Sequence, residues 1–148
     1  MREILFKAKV KNWKQLPKEE WWVEGYYGIK GKGTELEEHF IICSTFSPIL
    51  STYPFYFTDI QIDPETLCQF TGLTDKNGQK IWENDIVNRT DLHVVSEPPI
   101  GFIEYDLKST SFLIHWTDKV EYSPTYHWKD KLQVIGNIFD NADLLEVE

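Results

Sequence analysis

The residues that could do chemistry are scattered along the chain. His39, His93, His115 and His127 stand far apart, with no HxH or HExxH spacing to set two imidazoles on one metal ion. Cys43 and Cys68 form no CxxC pair and read as buried free thiols, not as a disulfide or a zinc site. Glu104 and Asp106 lie two apart, which on a strand puts both carboxylates on one face. A cation site needs more ligands than these, so the pair reads as a solvated strand end. Asp75 and Asp85 each stand at a turn, where a carboxylate accepts local backbone N–H groups; that role accounts for both without acid–base catalysis. Gly28, Gly31 and Gly33 in GIKGKG lack the spacing and the Lys-Ser/Thr ending of a phosphate loop, and no GxSxG elbow occurs. The expectation is therefore no catalytic residue, no metal site and no cofactor.

Aromatic side chains carry the functional expectation instead. Six Trp, seven Tyr and nine Phe supply much of the chain's bulk and are expected to fill the interior. Trp21-Trp22, Tyr26-Tyr27 and the run from Tyr53 to Phe57 stand out. Consecutive residues of a strand face opposite ways, so one of each pair can point outward. Trp22, Tyr27, Tyr53 and Phe55 are the candidate partner-binding residues. An outward ring can anchor a protein partner or stack on a nucleic-acid base.

Charge narrows the choice of partner. The formal net charge is −9, and it is placed unevenly: residues 1–62 hold eight basic and eight acidic residues, residues 63–148 seven and sixteen. No strong basic stripe of the kind that tracks phosphates is present. Lys7, Lys9, Lys11 and Lys14 make only a small positive patch, so nucleic acid is a less favoured partner than protein. The opening MREILFKAKV alternates polar and apolar residues and does not read as a signal peptide. The apolar run from Phe40 to Leu50 is too short to span a bilayer. A reducing, cytoplasmic setting is expected, with no membrane.

The elements that must position these residues are short strands. Glu3 to Val10 alternates, Trp21 to Ile29 is aromatic-rich, and Gly31-Lys32-Gly33 turns the chain toward a strand over His39 to Cys43. Tyr53 to Phe57 reads as a Pro-containing loop or edge segment, followed by a short strand from Asp59 to Ile62. Asp63 caps a single turn at Pro64. Asn77-Gly78, flanked by apolar residues, is the strongest hairpin signal in the chain. Ile100 to Tyr105 pairs with Ser111 to Trp116, and Lys131 to Phe139 is a strand bent at Gly136. Asp140-Asn141 caps a last short helix from Ala142 to Glu146. With only two Ala, little favours long helices.

Three blocks resemble the YopX family of phage and prophage proteins: REILFKAKV with the later WVEGYY, DPETLCQFTGLTDKNGQKIWENDIV over residues 63–87, and VIGNIFDNADLL over residues 134–145. The middle block is the most specific, and the three together touch both ends and the middle of the chain. Lys9-Val10 depart from a more usual Trp-Asp, and Asn84 stands in place of a Gly, although Asn also tolerates the left-handed region. The resemblance implies a mostly β fold containing a small β-barrel and a prophage or mobile-element origin, and it carries over no catalytic residue.

The expected architecture is a neutral N-terminal β region over residues 1–62, an acidic β-barrel region over residues 63–148, and a short C-terminal helix. The expected function is that of a phage-type accessory protein, not an enzyme, that binds a host or phage protein. A nucleic-acid module or an acidic mimic of nucleic acid is the alternative, and a homo-oligomer through strand edges is compatible with either.

Overall fold

A computed structural model describes residues 1–46, 55–91, 98–118, 122–125 and 129–146. His93, His127 and Tyr53 lie outside the described residues, and of Phe55 only the backbone is described. The chain divides into two compact units, Met1–Gln69 and Phe70–Glu148. The fold is mostly β, with antiparallel pairing throughout the described strands and helical structure limited to short 3₁₀ turns.

The first unit is built on β1 (Phe6–Lys9), β2 (Trp22–Lys30), β3 (Glu38–Phe46) and β4 (Phe55–Gln61), in the sheet order β4-β3-β2-β1. Strand β2 serves two neighbours in turn. Residues 22–25 pair with β1 and residues 26–30 with β3. Gly25 is the pivot, because a Cβ there would collide with the Ile42 carbonyl oxygen. Of the aromatic run read as a loop or edge segment, residues 55–57 are continuous with the short strand after it and form with it the edge strand β4, paired with β3 over seven residues without a shift. Asp63 accepts the Glu65 N–H at 3.2 Å and caps the 3₁₀ turn Pro64–Thr66, as its position before proline implies. Ala8, Ile41 and Ile62 form the buried centre, with Phe6, Val23, Tyr27, Cys43 and Leu67 packed on it.

The division between the units falls inside β5 (Cys68–Thr74), whose first residues pair with β1. In the second unit the rest of β5 returns through the Asn77-Gly78 turn to β6 (Lys80–Trp82), with Gly78 at φ +80°. The other strands are β7 (Asp85–Arg89), β8 (Ile100–Asp106), β9 (Ser111–Trp116), β10 (Tyr122–Pro124) and β11 (Leu132–Asn137), in the order β10-β9-β8-β7-β11. The pairing of β11 with β7 shifts at Gly136, where the bend was expected.

Three expectations change. The sheet of the second unit has two ends, β10 and β11, and no pairing among the described residues joins them, so it is an open sheet and not a closed barrel. Pro124 has no N–H to offer a further strand, and the turn after Thr74 occupies β11 through a Lys76 N–H to Leu132 carbonyl bond of 3.1 Å. The C-terminal helix is a 3₁₀ turn, Ala142–Leu145, without a side-chain cap; Asn141 Oδ1 accepts the Asn137 N–H instead. The interior is chiefly aliphatic: Ile81, Val87, Ile103, Ile114 and Leu132 surround the one ring of their cluster, Trp116. Branched side chains fit closely between pleated strands, and most described rings are only partly buried. Among the described residues no helix is long and apolar enough to cross a membrane.

Candidate functional site

Strand alternation sorts the side chains of the first unit onto two faces. Val23 and Tyr27 of β2 point into the cluster around Ile41. Trp22, Glu24, Tyr26 and Lys30 therefore share the other face, beside Phe40 and Ile42 of β3 and Phe57 and Asp59 of β4. Registers set these in rows: Tyr26 opposite Ile42 and Ile42 opposite Asp59, Phe40 opposite Gln61, and Lys30 opposite Glu38.

One end of this outer face is closed. The connection from Lys11 to Trp21 folds over β1 and encloses Lys9, which is 1% exposed. Its Nζ lies 3.8 Å from the Trp13 ring centroid, 4.5 Å from Trp21 and 5.6 Å from Trp22. A buried ammonium is costly unless matched, and the negative faces of the indoles match it. Trp13 and Trp21 meet edge to face at 4.9 Å, and the Trp21 indole N–H donates to the Leu16 carbonyl at 2.9 Å. Lys14 and Lys18 lie over Trp13 and Trp21 at 5.5 and 5.7 Å. Three of the four lysines of the basic patch foreseen over Lys7, Lys9, Lys11 and Lys14 thus rest on indole rings, Lys7 lying over Trp22.

The other end of the face is open. Tyr26 is 54% exposed and Phe57 71%. Phe40 and Ile42 lie half-buried beside them. Charged groups edge the rings. Lys30 Nζ binds Asp59 at 2.7 Å while lying 4.3 Å from the Phe40 centroid, and Lys7 lies 5.0 Å from the Trp22 centroid. The Lys30 bond, foremost, and the charge behind it hold the Asp59 carboxyl below its ordinary range. The result is an apolar centre edged by charged groups.

The candidate residues separate on this map. Trp22 lies on the outer face, between the closed and open ends. Tyr27 turns inward, where it packs on Phe6 at 5.6 Å and stacks parallel to His39 at 5.9 Å. Positions 22 and 27 differ by an odd number, so a regular strand cannot present both on one side. Tyr26, Phe40, Ile42 and Phe57, which share the outer face, were not among the candidates. The spacing of Trp22 and Tyr26 could have identified Tyr26, whereas Phe57 needed the sheet order.

The most reactive-looking group lies at the end of this sheet. A cavity of about 260 Å³ is walled by Lys11, Glu37, Glu38, His39 and Asp63 over Ile62. Glu37 Oε1 can only accept, so His39 Nε2 carries the proton across 3.0 Å, and Nδ1 is left to accept from the Tyr27 hydroxyl at 2.5 Å. Burial first, and the Glu37 charge second, hold the Tyr27 hydroxyl above its ordinary range and keep it a donor. The Gly33 N–H does most to hold Glu37 below its ordinary range. Both nitrogens of His39 are thereby engaged inside the unit. The second unit holds His115 3.7 Å from Glu104, with its ring against Phe102. Cys43 and Cys68 form no disulfide, and burial pushes the Cys43 thiol up. Among the described residues no group of three or more His, Cys, Asp or Glu is placed to hold a metal ion.

Comparison with known proteins agrees with the β architecture. A family model described as YopX protein matches residues 16–146. Among solved structures, that of protein EF1440 from Enterococcus faecalis is similar over 99% of this chain and 100% of that one, with a TM-score of 0.51 and 23% sequence identity. At that identity the likeness concerns the fold alone. No curated protein matches.

Proposed function

The chain belongs to the YopX family, and from that premise we propose that it is a phage- or prophage-type accessory protein, not an enzyme, that works by binding another protein. The observation that carries this reading is the open half of the N-terminal sheet face, where Tyr26 and Phe57 stand exposed beside Phe40 and Ile42 within a charged rim. Interfaces of moderate size draw most of their affinity from a few such rings. The chain's net charge of −9 favours a partner with a basic surface and speeds its approach. In this reading the chain acts in the cytoplasm of the host bacterium.

Among the described residues, two side chains suited to acid–base work are committed to partners within the fold. His39 spends both nitrogens on Glu37 and Tyr27. Asp75 spends both oxygens on backbone N–H groups. Nothing in these arrangements leaves a group poised toward a substrate.

The test is affinity capture from a bacterial host with the full chain as bait, beside Tyr26→Asp. The intact chain is expected to recover a specific protein, less of it as salt rises, and Tyr26→Asp to lose it. Recovery of nothing at any salt concentration, or equal recovery by the variant, would sink this reading. Competition by DNA for the recovered protein would point instead to an acidic mimic of nucleic acid.

A further inference from the structure

The strand edges of this protein are not treated alike. An uncovered edge offers a row of unpaired N–H and C=O groups, and proteins blunt it with brevity, proline, charge, bulges or a covering loop. Strand β10 has three residues and ends on Pro124. Strand β11 carries the shift at Gly136 and receives the Asp75 turn, whose carboxylate accepts the Val134 N–H at 3.0 Å. Strand β1 is paired on both sides. Among the described residues strand β4 is terminal in its sheet and, apart from the Lys11 N–H that covers Gln61 at its end, shows none of these devices. It runs seven residues in unbroken register, FYFTDIQ, with no proline and no lysine. Its only charge, Asp59, is matched by Lys30 at 2.7 Å.

The bonding direction along β4 follows from its end. The Ile62 N–H donates inward to the His39 carbonyl at 3.0 Å. Alternation then turns the backbone groups of Phe55, Phe57, Asp59 and Gln61 away from β3. The Gln61 carbonyl confirms this by accepting the Lys11 N–H at 3.0 Å. Phe57 and Asp59 have no backbone partner on that outer side among the described residues.

We propose that β4 is the interface through which two copies of this chain associate, pairing antiparallel about a two-fold axis at Phe57. The occupant follows from self-complementarity. In this register Phe57 meets its own counterpart, an aromatic cross-strand pair, and Asp59 lies opposite Phe55. A register centred on Asp59 would oppose two carboxylates, and one using Gln61 would displace Lys11. The unit that carries the edge holds eight basic and ten acidic residues, so two copies meet with little repulsion. This inference rests on the backbone edge of β4; Phe57 belongs both to that edge and to the open face, whereas Tyr26, on β2, lies away from the paired edge, so loss of capture by Tyr26→Asp with an unchanged dimer separates the two readings.

Sedimentation velocity over a concentration series tests it with the full chain, Phe57→Lys and Phe57→Pro. The unmodified chain is expected at twice its 17.5 kDa mass, dissociating on dilution. Both variants are expected as monomers, with the dimer weakened by roughly thirtyfold or more, the usual scale for losing a central aromatic anchor. Neither substitution removes a bond to β3, because the Phe57 N–H points away from it, so wild-type circular dichroism is expected for both. Should the variants misfold, amide exchange of the unmodified chain decides: Phe57 and Asp59 are expected to gain protection as concentration rises. A chain that stays monomeric at its highest soluble concentration overturns the proposal, even if a foreign peptide binds the edge. So do folded variants that dimerise as well as the parent, or amides whose exchange ignores concentration.

Discussion

The turn block from Asp75 to Asp85 and the outer face of the N-terminal sheet use the same kinds of residue to opposite ends. In the block both aspartates are buried and bonded to backbone, although the tip from Lys76 to Gln79 faces solvent. Asp75 is 5% exposed, and its carboxylate accepts the N–H groups of Asn77 at 2.8 Å, Gln79 at 3.0 Å and Val134 at 3.0 Å. Asp85 is 2% exposed and accepts the Trp82 N–H at 2.8 Å. Asn84 adopts φ 68°, gives its N–H to the Ile103 carbonyl and accepts from Ile138. On the outer face, by contrast, Tyr26 and Phe57 leave most of their surface to solvent. The contrast teaches that the most recognisable segment of a chain can be its most inward-looking one. Residues held by three backbone bonds are constrained by folding, and residues held by none are available for a partner.

Breaking the closed side should cost most. Asp75→Ala removes a buried carboxylate from three part-buried backbone donors, and a loss of about 3 kcal/mol is expected, on the scale of bonds to a charged acceptor. Thermal unfolding checks this, with a fall in Tm of roughly 10 °C expected for a domain of this size. A change too small to detect would mean that water replaces the carboxylate and that the block is less closed than its geometry.

The tryptophan box around Lys9 lies between the two extremes, being closed but assembled on the open sheet. Lys9→Met keeps the apolar stem and removes the ammonium, with an expected loss of about 2 kcal/mol for a desolvated cation–π contact. Denaturant unfolding gives the loss, and the tryptophan emission maximum of the native state should shift as the charge leaves the indoles. Unchanged stability and emission would show the box to be packing alone.

A smaller effect is expected at Asp91, where Arg89 donates to both carboxylate oxygens at 3.1 and 2.9 Å. The Arg89 bonds hold its pKa below the ordinary aspartate value of 3.8. A depressed carboxylate contributes stability above its unfolded pKa and loses it as pH falls through the folded one. Asp91→Asn should therefore lower Tm slightly at neutral pH, and the two melting curves should converge below the ordinary aspartate range. Parallel curves down to that acidity would contradict the assignment.

The smallest effect on stability is expected at the open face. Tyr26→Asp should change unfolding free energy by no more than about 0.5 kcal/mol, as for other surface positions, while abolishing partner capture. A large loss of stability would mean that Tyr26 belongs with the closed regions, which would remove the main support for a docking face.

Local patterns in the chain were enough to find most strands. The alternation in Phe6–Lys9, the apolar runs of β8 and β9 and the Asn77-Gly78 turn depend on neighbours in sequence, and each appears where its pattern lies. The bend at Gly136 and the cap at Asp63 are equally local. The proline signals left the Tyr53 to Phe57 run open between a loop and an edge segment, and pairing with β3 made an edge strand of its described residues, continuous through Gln61. The choice of Tyr27 over Tyr26 could not be made reliably within the pair, because which parity faces inward depends on where the core lies.

Residue type and spacing thus determined that this chain would be a mostly β protein with defined turns, since backbone conformation answers to near neighbours. Tertiary structure alone decided that Lys9 is enclosed by three indoles, that His39 is engaged on both nitrogens, and that β4 ends its sheet with Phe57 uncovered. Those outcomes depend on which distant segments meet, and exposure is a property of what fails to arrive beside a residue as much as of the residue itself.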